Sequence, residues 1–109
     1  MKDFEEIIEK LLKFRNERDW EQFHNAKDLA IAINIESSEL LELFLWKKAE
    51  EANSAKIKEE LADIFSFSFL LANKLGFDVK EIVLEKIKNN SERYPVEKAK
   101  GSAKKYTEL

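Results

Sequence analysis

With two glycines and one proline in 109 residues, the chain has almost none of the turn chemistry that hairpins need, while its apolar residues recur at helical spacing nearly throughout. An all-α class follows. Phe4, Ile7, Ile8, Leu11, Leu12 and Phe14 are linked by steps of three and four, with Glu5, Glu6, Glu9, Lys10 and Lys13 mostly opposite, so an amphipathic helix is expected over about 3–18. Aromatic and polar residues then mix without a stripe at 19–25, which reads as a structured loop. Asn25 can cap a second helix, about 26–51, with Asp28 in its first turn. Asn53-Ser54 closes that helix and caps a third, about 55–75. Leu61, Ile64, Phe65, Phe67, Phe69, Leu70 and Leu71 make this third segment apolar almost all round, the pattern of a central helix. Gly76 suits a left-handed stop, Asp78 can cap a fourth helix over about 79–91, and Tyr94-Pro95 ends it. The expected architecture is a single domain, 1–109, built like a four-helix bundle with a lysine-bearing tail from about 96 to 109.

The charge balance narrows the partners. Nineteen basic residues against 22 acidic ones give −3, and no basic cluster precedes the tail, which argues against nucleic-acid polymers and anionic membranes. Acids at Asp3, Glu5 and Glu6 stand where a signal peptide would be basic and then apolar, and the weakly polar run 61–72 contains Asp63 and is too short to span a bilayer. The absence of cysteine excludes disulfides, thiolate zinc sites and thiol nucleophiles, and a cytoplasmic location is the default expectation.

Two acidic pairs carry the candidate chemistry. Glu36 and Glu39 on the second helix, and Glu60 and Asp63 on the third, are each three residues apart, so each pair projects from one helix face. Spacing alone is a weak signal, since about four such pairs per hundred residues arise by chance at this acidic content. Setting adds weight: Ile31, Ile33 and Ile35 precede Glu36, Leu40, Leu41, Leu43 and Phe44 follow Glu39, and Asp63 sits in the most apolar helix. Carboxylates buried together repel and cost several kcal/mol each unless protonated or neutralised. A divalent cation would neutralise them; a solvated acidic stripe is the alternative. All-oxygen ligation suits Mg²⁺, with Mn²⁺ possible, and hydrolysis of a phosphate ester or anhydride. A ferritin-type di-iron site is excluded, because it needs two Glu-x-x-His motifs and the only histidine is His24.

In Arg18-Asp19-Trp20-Glu21-Gln22-Phe23-His24, Glu36-Ser37-Ser38-Glu39-Leu40, Glu42-Leu43-Phe44-Leu45-Trp46-Lys47, Glu59-Glu60-Leu61-Ala62-Asp63, Arg93-Tyr94-Pro95 and Lys104-Lys105-Tyr106-Thr107-Glu108-Leu109, the chain resembles the MazG-type, all-α nucleotide pyrophosphohydrolases, particularly their dCTP pyrophosphatase branch. The resemblance implies cleavage of a nucleoside triphosphate between its α and β phosphates, with Glu36, Glu39, Glu60 and Asp63 as catalytic Mg²⁺ ligands. It implies triphosphate contacts from Lys86, Asn90 and Arg93, which lie at i, i+4 and i+7 on one face of the fourth helix. Trp20, Phe23, His24 and Trp46 would supply the flat apolar faces and polar edge that a nucleobase needs. Phe67 stands where dCTP-preferring relatives carry a tyrosine, so a hydroxyl is missing at a substrate-binding position. Dimers or tetramers are implied as well, and a homotetramer is expected. The competing expectation is a non-catalytic helical oligomerisation module of the same fold, in which the aromatics are core or interface anchors and Lys86 is a solvated lysine.

Overall fold

The computed structural model describes residues 2–109, and every regular element among them is helical. Helix α1 spans Lys2–Glu17, α2 Ala26–Glu42, α3 Ser54–Lys74, α4 Val79–Arg93 and α5 Val96–Ala99. Short 3₁₀ turns at Glu21–Phe23, Ala49–Glu51 and Tyr106–Glu108 fill the connections and the end of the chain.

The helix starts follow local chemistry. Asn25 accepts the backbone N–H of Asp28 at 2.8 Å, Asn53 that of Lys56 at 3.1 Å, and Asp78 that of Glu81 at 2.9 Å. Each side chain thereby satisfies an otherwise orphaned donor at the start of its helix. Gly76 has φ +74°, the left-handed geometry that stops α3.

One boundary corrects the sequence reading: the second helix ends at Glu42 rather than near 51. Leu43, Phe44 and Leu45 each donate three residues back, to Leu40, Leu41 and Glu42, so the last turn tightens to 3₁₀ spacing. Trp46 then adopts φ +62°, and a left-handed residue cannot continue the i to i−4 ladder. The apolar run 43–46 hid this break, because hydrophobic spacing reports burial and not handedness.

The chain forms two compact units, one ending at Phe77 and the other running from Asp78 to Leu109. In the first, α3 packs against both α2 and α1, the central position its apolar sequence suggests. Leu29 of α2 and Leu70 and Ala72 of α3 are the buried residues among those described, and Phe4 of α1 meets Phe69 of α3 with ring centroids 5.7 Å apart. Phe65 of α3 nevertheless stays 59% exposed, because two helices do not surround a third. In the second unit, α4 carries Ile82, Val83, Leu84 and Ile87, all exposed, and is followed by α5 and the terminal turn. No helix among the described residues is long and apolar enough to cross a membrane.

Candidate functional site

The contact between α2 and α3 brings the two acidic pairs together. Carboxylate oxygens of Glu36, Glu60 and Asp63 lie within 4.8 Å of one another. Glu39, one turn on from Glu36, is more exposed and stands outside that group of three, close enough for its carboxyl to bond that of Glu36. Glu36 and Glu60 are half-buried, and one oxygen of each, Oε2, is shielded from solvent without any hydrogen-bond donor.

Neighbouring groups do not satisfy these oxygens. Ser37 and Ser38, between the two acids of α2, and Ser66, three residues after Asp63, turn their hydroxyls back to Ile33, Asn34 and Ala62 carbonyls at 2.8, 3.0 and 2.7 Å. That back-bonding is how serine is accommodated inside a helix, and it commits these three O–H donors to backbone carbonyls. The ion pairs among the described residues, Lys10 with Glu6 and Arg15 with Glu21, lie elsewhere. The crowding of acids pushes the Glu36 carboxyl up to about 7. Sharing a hydrogen with Glu60 is the largest cause, followed by burial and then by the hydrogen bond and charge of Glu39 and the charge of Asp63. Two ionised carboxylates here would face each other as acceptors only, which is why the pair favours keeping one proton. An all-oxygen, carboxylate-rich donor set of this kind fits a hard divalent cation.

Beside the cluster, a pocket of about 420 Å³ opens within the first unit, a size suited to a small organic ligand. Leu11 and Phe14 of α1 and Trp20 and His24 of the following loop form one side. Asp63, Ser66, Phe67 and Leu70 of α3 form the other, so Asp63 belongs both to the carboxylate group and to the pocket wall. The loop is held by its own bonds. Asp19 turns through φ +54°, Gln22 donates from Nε2 to the Asp19 carbonyl at 2.8 Å, and the Trp20 N–H reaches the Arg15 carbonyl at 3.0 Å. Trp20 then meets Phe14 edge to face at 5.7 Å, and Arg18 caps the Phe14 ring at 3.7 Å. His24 Nδ1 is buried without a partner, and burial first, then the charges of Arg15 and Lys74, hold the imidazole below its ordinary pKa.

The pocket therefore gathers Trp20, His24, Asp63 and Phe67 from the residues singled out in the sequence, and adds Leu11, Phe14, Ser66 and Leu70, which were not. Leu11 and Phe14 carried no separate signal, because a cavity wall and a core stripe have the same helical spacing. Phe23 and Trp46 lie outside this lining, Phe23 61% and Trp46 fully exposed. Lys86, Asn90 and Arg93 belong to the second unit, on α4, and are exposed.

Residues 31–109, which include all four acids and the whole of α4, match the MazG-like family. The chain belongs to that family. It is 43% identical to dCTP pyrophosphatase 1 of Bos taurus and 40% identical to dCTP pyrophosphatase 1 of Homo sapiens, in each case over 89% of its own length. The chain spans 62% of the length of these curated relatives. The crystal structure of a pyrophosphatase from Archaeoglobus fulgidus superimposes with a TM-score of 0.79 at 33% identity, covering 84% of this chain and 91% of that one. In this MazG-like chain, the carboxylate group with its orphaned oxygens thus adjoins a largely apolar pocket, with Asp63 common to both.

Proposed function

We propose that this MazG-like chain is a nucleoside triphosphate pyrophosphohydrolase, cleaving (deoxy)nucleoside triphosphates to the monophosphate and pyrophosphate, with dCTP or a modified dCTP favoured. The observation that carries the reading is the convergence of Glu36, Glu60 and Asp63 within 4.8 Å, with two buried oxygens lacking donors, beside an aromatic pocket. The name dCTP pyrophosphatase, borne by relatives 40–43% identical over most of this chain, supports the substrate class.

Glu36, Glu60 and Asp63, with Glu39 at the rim, would hold Mg²⁺, and Mn²⁺ fits the same donors. When bound, such a cation supplies charge neutralisation on the phosphates and acidifies a bound water. One of the glutamates orients the attacking water and accepts its proton. The water oxygen bonds to the α-phosphorus as the bond to the α–β bridging oxygen breaks, and that oxygen departs with pyrophosphate. No protein nucleophile is required. Trp20, His24 and Phe67 receive the base, with Phe23 and Trp46 as further aromatic contacts. Phe67 offers a ring face and no hydroxyl, so discrimination at that wall rests on shape and stacking. Lys86 and Arg93 hold phosphate oxygens, Lys86 as a point charge and Arg93 as a planar fork, with Asn90 donating between them. We further propose that the chain works in nucleotide-pool sanitation in the cytoplasm, as a homotetramer or a dimer.

The test is pyrophosphate release from a panel of ribo- and deoxynucleoside triphosphates with and without Mg²⁺. Release that requires the metal and is fastest with dCTP or a modified dCTP is expected. No release from any nucleotide at saturating metal would overturn the enzyme reading in favour of a helical assembly module.

A further inference from the structure

The second unit contains a contact that the proposed chemistry does not use. Arg93, the last residue of α4, lies with its guanidinium carbon over the ring of Tyr106, 4.8 Å from the centroid. The same ring stands edge-on to Tyr94, with centroids 6.0 Å apart and planes at 83°. Tyr106 opens the terminal 3₁₀ turn, which is closed by the Glu108 N–H donating to the Lys105 carbonyl at 2.8 Å. Arg93 makes no ion pair among the described residues.

This arrangement differs in kind from a salt bridge. A carboxylate partner would occupy two of the five guanidinium N–H groups, whereas an aromatic face attracts the cation through its quadrupole and leaves the N–H edge free. Arginine also loses less freedom on binding an anion if its fork is already oriented. We propose that Tyr106 is a positioning residue, whose ring holds the Arg93 fork oriented with its donors free to receive the phosphates of a nucleoside triphosphate. Tyr94 braces the ring from the side. The inference rests on the reading of Arg93 as a phosphate contact. It gives the C-terminal segment a part in substrate binding through aromatic stacking, distinct from its lysine charges.

The experiment is calorimetric binding of α,β-imido-dCTP, a non-cleavable triphosphate, to the full chain in the presence of Mg²⁺. Tyr106→Leu is expected to weaken binding about 2–5-fold, the range of an exposed cation–π contact. Tyr106→Phe, which keeps the ring, restores wild-type affinity, and Tyr106→Leu adds nothing in an Arg93→Ala background. If Arg93→Ala weakens binding while Tyr106→Leu does not, the positioning inference falls and the Arg93 contact stands. An equal loss from Tyr106→Leu with and without Arg93 also overturns the inference, since the ring would then act independently. Wild-type affinity in Arg93→Ala, or no binding by the wild type, removes the phosphate contact and the inference with it.

Discussion

Glu60, Glu39 and Asp63 crowd Glu36, whose pKa is raised, and its titration has a definite sign. The folded carboxyl keeps its proton to about pH 7, while the unfolded one releases it near 4.5. Between those values the folded state binds more protons, so this contribution to stability is full at acid pH and is lost as pH rises through 7. His24 has the opposite trend, since its folded pKa is lowered and its contribution is lost as pH falls. Comparison with Glu36→Gln removes the titration of this carboxylate cluster's central acid while both proteins keep His24. Metal-free wild type is expected to lose more thermal stability than Glu36→Gln between about pH 5 and about pH 8; parallel melting profiles would remove Glu36 from the role assigned here. A second expectation concerns Mg²⁺, which should raise the melting temperature of the wild type and leave that of Asp63→Asn unchanged. Asp63→Asn should also abolish nearly all pyrophosphate release while its helical circular dichroism persists.

At the scale of the element, stability depends on a few capping contacts and one left-handed turn. Asn25 is the sole side-chain cap of α2, and Asn25→Ala is expected to cost about 1 kcal/mol in urea unfolding. Gly76→Ala tests backbone strain in isolation. A Cβ there meets nothing within 4 Å, so the expected loss of about 1–2 kcal/mol comes from the left-handed conformation alone. The starts of α2 and α4 and the Gly76 stop were legible because one side chain, or the lack of one, decides each. The end of α2 was not, since Glu42 to Trp46 contains neither glycine nor proline and the reversal is made by a tryptophan. The loop at 19–25 was legible as a loop, but its Trp20-Phe14-Arg18 stack joins residues whose order in the chain does not reveal their contact.

For the molecule as a whole, exposed apolar side chains lead to a prediction about assembly. Ile31 and Ile35 of α2, Phe65 of α3 and Ile87 of α4 are each 45–59% exposed, and Trp46 is completely so. Such surface in a chain of 109 residues is expected to be covered by further copies. Light scattering after gel filtration should give a tetramer or dimer at micromolar concentration, and Ile31→Glu should shift the distribution to smaller species; a monomeric wild type would overturn the assembly proposal. The sequence by itself determined the all-helical class, the caps, and two acidic pairs each confined to one helix face, because these depend on neighbours within about a turn. Only the tertiary structure decided that Glu36, Glu60 and Asp63 converge while Glu39 stays at the rim, and that Leu11 and Phe14 line a pocket. The rotation of α3 against α1 and α2 settles which side chains meet, and helical periodicity alone does not specify it.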